Sequence, residues 1–137
     1  MSRVARPGGR VCVAVCDGLD HSPGYAVLTE LLHRLFGADV AEAFRAPFAL
    51  GDRRRMQAIV ERAGVHGELH RVDGEVRFES IDALVGAERA CAWTLGGLLD
   101  DDQFEDLRTQ ARESLAPFVR DGAVVFSMPA LCLTISV

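Results

Sequence analysis

Asp17, Asp20 and His21 form the tightest group of side chains in the sequence suited to proton chemistry, and they follow directly on the apolar run Val11–Cys16. An imidazole changes charge near neutral pH, which makes His21 a candidate general base toward a nucleophilic substrate. In open α/β sheets, ligands bind at the rim just past the carboxyl ends of the strands, which is where these three residues fall. A plainer role weighs more heavily: Asp17 and Asp20 shape a turn and His21 is solvated. Tyr25, on the first turn of the helix that follows, faces the same rim, and core packing is its favoured role. Trp93, the only tryptophan, is a candidate wall for a substrate pocket, with a packing anchor as the stronger reading.

Other constellations are incomplete. His66 and His70 fall on one face of either a helix or a strand, but they lack a third ligand, so no metal site is expected. Cys12 and Cys16 share a strand face yet lie ~13 Å apart at the rise of a strand, too far for one ion or one disulfide. Cys91 and Cys132 are isolated, and no C-x₂-C pair is present. Four buried, reduced thiols are expected. No Ser/His/Asp or Cys/His nucleophile can be assembled from the spacing.

Charge and hydropathy exclude whole classes of partner. The 137 residues carry a net charge of −5, and their single basic run, Arg53-Arg54-Arg55, reads as a solvated helix face. Nucleic-acid binding needs clustered positive charge and is not expected. No apolar run approaches the ~20 residues of a membrane span. The basic start Met1–Arg6 meets Pro7 before any signal-peptide core, so a cytoplasmic protein without a membrane partner is expected.

The elements that must position these residues follow from periodicity and punctuation. Val11–Cys16 lacks polar alternation and predicts a strand covered on both faces. Ser22 and Pro23 open a helix with an apolar face of Tyr25, Leu28, Leu31, Leu32, Leu35 and Phe36, stopped at Gly37. A shorter helix spans 38–45. Asp52 caps another, whose three arginines oppose the helix dipole with no visible compensation. Residues 68–72 and 75–78 predict a polar hairpin at a sheet edge, turning at Asp73-Gly74. Ser80 begins a helix through Leu95, which Gly96-Gly97 interrupts. Asp100 and Gln103 have the spacing of a capping box before a helix with Phe104, Leu107, Ala111 and Leu115 on its core face. After Asp121-Gly122, strands follow at 123–128 and 131–137, with a break at Pro129.

In this order the segments resemble the second half of small-molecule class I S-adenosylmethionine-dependent methyltransferases. The carriers are Arg3-Val4-Ala5-Arg6-Pro7-Gly8-Gly9-Arg10-Val11, like that family's turn into its fifth strand, with Pro23-Gly24-Tyr25, Ala46–Asp52 and Leu98–Phe104. The resemblance covers nearly the whole chain. It implies a single partial methyltransferase domain over 1–137, of α/β class and partial Rossmann-like fold. Its three-stranded sheet would contain strands five, seven and six of the family, mixed parallel and antiparallel. The helices at 80–119 would be an insertion resembling a substrate cover. Met1 would fall within the helix before strand five.

The resemblance also implies S-adenosylmethionine as cofactor, although this chain alone is not expected to bind it. The sequence has no G-x-G, and Gly8-Gly9 precedes a strand instead of following one. No cofactor-binding residue is therefore assigned. The expected function is the acceptor side of a small-molecule methyltransferase, not competent alone. Asp17, Asp20, His21, Tyr25 and Trp93 are the substrate-side candidates. The alternative is a non-enzymatic dimerising or ligand-binding module. The open edge of strand 11–16 is expected to pair either with a second copy or with a separately encoded N-terminal half.

Overall fold

The computed structural model describes residues 5–136; Met1, the Arg3-Val4 start of the family-like turn and the terminal Val137 lie outside them. The chain runs β1 (Arg10–Cys16), α1 (Pro23–Phe36), α2 (Ala38–Arg45), α3 (Arg53–Arg62), β2 (Gly67–Val72), β3 (Glu75–Phe78), α4 (Ile81–Ala90), α5 (Asp101–Ser114), β4 (Val119–Arg120), β5 (Ala123–Ser127) and β6 (Ala130–Ser136). Short 3₁₀ turns at Leu19–His21, Ala46–Phe48, Leu95–Gly97 and Ala116–Phe118 join them. The class is α/β. No helix among the described residues is long and apolar enough to cross a membrane.

Two three-stranded sheets replace the single one expected, in the orders β1-β6-β2 and β3-β5-β4. Every ladder in both sheets is antiparallel. β1 and β2 run in the same direction, but each pairs only with β6 between them.

The expected hairpin at Asp73-Gly74 does not form. β2 pairs with β6 from Gly67↔Ile135 to Val72↔Ala130, and β3 pairs with β5 from Glu75↔Ser127 to Phe78↔Val124. The two ladders continue each other without a slip. Residues 67–78 are thus one long strand bent in the middle, opposite a second long strand broken at Met128-Pro129. Proline lacks the N–H that a ladder needs, which interrupts pairing at this point and lets the ribbon change sheets. Gly74 sits opposite the break. Its carbonyl accepts from Met128 N at 2.8 Å, and a Cβ there would lie 2.4 Å from the Met128 carbonyl oxygen. The glycine therefore marks a close backbone approach within a strand, a meaning that Asp-Gly shares with hairpins. The tight turn lies instead at Asp121 (φ 50°) and Gly122 (φ 83°), between β4 and β5. Two successive positive φ values are those of a type I′ hairpin.

Local capping follows the sequence closely. Asp100 and Gln103 close the capping box at 2.8 and 3.0 Å, Ser80 accepts from Ala83 N at 3.0 Å, and Asp52 accepts from Arg54 N and Arg55 N. Ser22 is the exception: it precedes α1, but its hydroxyl caps nothing and is buried without a partner. α4 also stops earlier than its pattern predicts, at Ala90, because the chain turns at Cys91–Thr94.

The main core lies between α1, α4, α5 and the β3-β5 ladder. Leu28, Leu32, Leu84, Phe104, Leu107, Leu115 and Val124 are all essentially inaccessible. The 80–119 helices thus supply a large part of this core. Arg112 clamps α5 to α4 through a bidentate bond to Asp82 at 2.9 and 2.7 Å. The β1-β6-β2 sheet is less covered. Val11, Val13 and Val15 are half-buried, whereas Cys12 and Ala14 on the opposite face are exposed. That corrects the expectation of a strand covered on both faces and of four buried thiols; all four cysteines are free, and Cys12 is exposed.

Candidate functional site

The end of β1 is tied down before any candidate side chain is placed. Asp17 N donates to Pro129 O at 3.0 Å, extending the sheet by one bond past the broken strand. The Asp17 carboxylate is then buried, with 1% of its side chain exposed, and Oδ1 accepts from Gly18 N at 2.8 Å. Burying a carboxylate is costly unless it is paired. Its partner is Arg71, whose Nε forms an ion pair with Oδ2. Sheet register explains the reach: Arg71 stands level with Leu131 and Val15, on the face that carries Asp17 two residues further along. Arg71 was not among the sequence candidates, because the pairing that brings β2 to β1 crosses a strand more than 50 residues away in the chain.

His21 ends the 3₁₀ turn and packs over this pair. Its Nδ1 lies 3.5 Å from Asp17 Oδ1 and 3.4 Å from Asp20 Oδ1, and Arg71 Nη2 lies 3.1 Å from Nε2. Arg71 Nη2 also lies 3.3 Å from Nδ1, so this guanidinium nitrogen, which can only donate, faces both ring nitrogens. In this arrangement the His21 lone pair is engaged by Arg71. A role as general base requires Arg71 to move away. Ser127 Oγ holds the turn by donating to the His21 carbonyl at 3.0 Å.

These residues line a cleft of about 390 Å³ whose far wall is the start of α3, with Gly51, Asp52, Arg53 and Arg55. Gly51 touches the Asp17–Gly18 peptide so closely that a Cβ would lie 2.3 Å from Asp17 C and Gly18 N. The arginine run is therefore only partly a solvated face. Arg53 donates to Leu69 O at 2.7 Å, and Arg53 and Arg55 both border the cleft. Asp52, which accepts from the amides of the first turn, supplies the compensation for the helix dipole that the charge pattern leaves open.

Tyr25 and Trp93 do not join Asp17, Asp20 and His21. Tyr25 is buried in an aromatic cluster with Phe44, Phe48 and Phe126, at centroid distances of 5.6, 5.9 and 5.1 Å. It borders a separate cavity of about 110 Å³, together with Glu88, Cys91, Trp93 and Met128. Phe48 lines both this cavity and the cleft, and so stands as the partition between them. Trp93 is 83% exposed and anchors no packing. Glu88, absent from the sequence candidates, is half-buried on α4. Burial pushes its carboxyl above the ordinary range, partly offset by its hydrogen bond with Tyr25. Burial, and then the Glu88 charge, push the Tyr25 phenol up in turn. The only sequence signal for Glu88 is an acid on the apolar side of a helix, one turn after Leu84 and Val85.

His66 and His70 border an open depression with Arg10, Glu68 and Thr134. Among the described residues, no group of three or more His, Cys, Asp or Glu side chains could hold a metal ion. The strand-to-helix loop after β1, Asp17–Ser22, has Arg71 and His21 over it and Pro23 at the first helical position, which removes an amide donor. Comparison with protein-family models finds no match to the chain, and comparison with curated proteins finds none either.

Proposed function

We propose that this chain is the acceptor-side part of a small-molecule S-adenosylmethionine-dependent methyltransferase, with the cofactor held by residues outside these 137. One observation carries the reading. The closing strand β6 lies between β1 and β2, antiparallel to both, while β1 and β2 point the same way. That order and those directions are what the resemblance implies for strands five, seven and six of the family. Three of the five candidate side chains, Asp17, Asp20 and His21, gather beyond the carboxyl end of β1, where a Rossmann-like sheet carries its ligands. Their chemistry suits positioning over proton transfer, since Arg71 engages the His21 lone pair. Holding a nucleophile in line is a large effect in its own right.

The completing polypeptide would add its strand at the edge of β1 that has no partner strand among the described residues. A coding region upstream of the Met1 codon, or beside it, is expected to specify a strand followed by a glycine-rich loop. Co-purified with this chain, that product should bind S-adenosylmethionine and methylate a small acceptor. Calorimetric titration of the 137 residues alone should give no heat with S-adenosylmethionine. Micromolar binding by the isolated chain would overturn the division of the site. The same edge supports a second reading, a self-paired binding module. A stable dimer that persists when the completing half is added would favour it.

A further inference from the structure

We propose that the small cavity between α1, α4 and the 91–94 turn is a binding site for a compact organic cation, an alkylammonium headgroup. The inference deepens the acceptor-side reading, and only the description of this cation as a methyl acceptor rests on that reading.

The walls are aromatic and the floor is anionic. Tyr25, Phe44, Phe48 and Trp93 line a space of about 110 Å³ that Glu88 also borders. Ring faces carry negative charge density and attract cations, most strongly where water is excluded. Glu88 has no cation of its own: no ion pair among the described residues includes it. The adjacent base, Arg89, is turned to Asp101 and to the face of Phe104, whose centroid is 5.5 Å from its guanidinium carbon. A half-buried carboxylate with no counter-charge is held at a cost that a bound cation would remove. The upward displacement of the Glu88 carboxyl by burial is the same cost read in protons.

Size and charge narrow the occupant. The space is well below the ~300 Å³ of ordinary small-molecule pockets, so it takes a headgroup of a few heavy atoms. Glu88 disfavours anions. Trp93 is 83% exposed at the mouth, a position that leaves a large apolar ring in water with nothing packed on it. A cation entering the cavity would cover it, as aromatic cages for quaternary ammonium groups do.

Trp93 is also the only tryptophan, which makes its fluorescence a direct reporter. Choline and its uncharged isostere 3,3-dimethylbutan-1-ol are the probes. Choline should change the Trp93 emission saturably, with affinity in the micromolar to millimolar range expected of so few atoms. The isostere should bind at least ~10-fold more weakly. Glu88→Gln should weaken choline by a similar factor while the chain keeps its circular dichroism. Trp93→Ala, at an exposed position that folding does not need, should weaken it several-fold by calorimetry. Equal binding of choline and isostere, unchanged affinity in Glu88→Gln, or no saturation by ~100 mM choline would overturn the proposal. None of these measurements involves S-adenosylmethionine. A failed titration therefore leaves the methyltransferase reading standing, and a completed enzyme that methylates nothing leaves the cation site standing.

Discussion

The buried ion pair at the end of β1 makes an asymmetric prediction. Asp17 is 1% exposed and Arg71 is 45% exposed, so the two partners differ in what is stranded when the other is removed. Asp17→Asn keeps the acceptor for Gly18 N and removes only the charge. At an effective dielectric of ~20, two charges ~4 Å apart attract by about 4 kcal/mol. The cost of desolvating the carboxylate, several kcal/mol, offsets most of that. Arg71 can turn to water, so the net loss should be about 1–2 kcal/mol. Arg71→Met instead leaves a carboxylate buried with no arginine, a change worth about 3–5 kcal/mol. At about 4 °C per kcal/mol for a domain of this size, Tm should fall by about 4–8 °C in the first variant and about 12–20 °C in the second. Thermal unfolding followed by circular dichroism at neutral pH measures both. If Asp17→Asn costs as much as Arg71→Met, or if Arg71→Met is neutral, the burial asymmetry does not govern the site and the argument is refuted.

Three further outcomes follow from the geometry. Gly51→Ala should destabilise by about 2–3 kcal/mol in urea unfolding, because its new methyl meets the backbone of Asp17 and Gly18 and no flexible side chain can give way. Phe104→Ala, at a position 1% exposed in the main core, should cost about 3–5 kcal/mol by the same assay; a loss below 1 kcal/mol would mean that α5 is not a core helix. Glu88 should impose a pH slope. Its folded-state carboxyl lies above the ordinary value of 4.5, so the folded chain holds its proton longer than the unfolded chain does. That contribution is fully present below 4.5 and is lost as pH rises through the folded-state value. Glu88→Gln should therefore flatten the decline of Tm across this window and raise stability at neutral pH, and identical Tm profiles for the two proteins would contradict the burial of that carboxyl.

Much of the helical framework was legible because its determinants are local. The Asp100–Gln103 box, the Ser80 and Asp52 caps and the apolar stripes of α1 and α5 each depend on residues within two turns of one another, and each forms as the spacing predicts. Local signals failed where the partner was distant. Asp73-Gly74 has the composition of a hairpin turn, but Pro129 on the opposite strand determines its conformation, and the pair becomes a bend in a continuous ribbon. Ser22 has the residue type of a cap and makes no cap bond.

The same division holds at the site. The sequence by itself determined that an acid-rich turn follows the first strand, that Asp17, Asp20 and His21 stand together there, and that no G-x-G pattern accompanies them. Tertiary structure alone brought Arg71 across β6 to neutralise Asp17 and to engage His21. It also separated Tyr25 and Trp93 into a second cavity behind Phe48 and placed Glu88 at its floor. The reason is physical. Adjacent residues share a turn whatever the fold, whereas strand order and register decide which distant charge can reach a buried one, and helix packing decides which carboxylate is left without a partner.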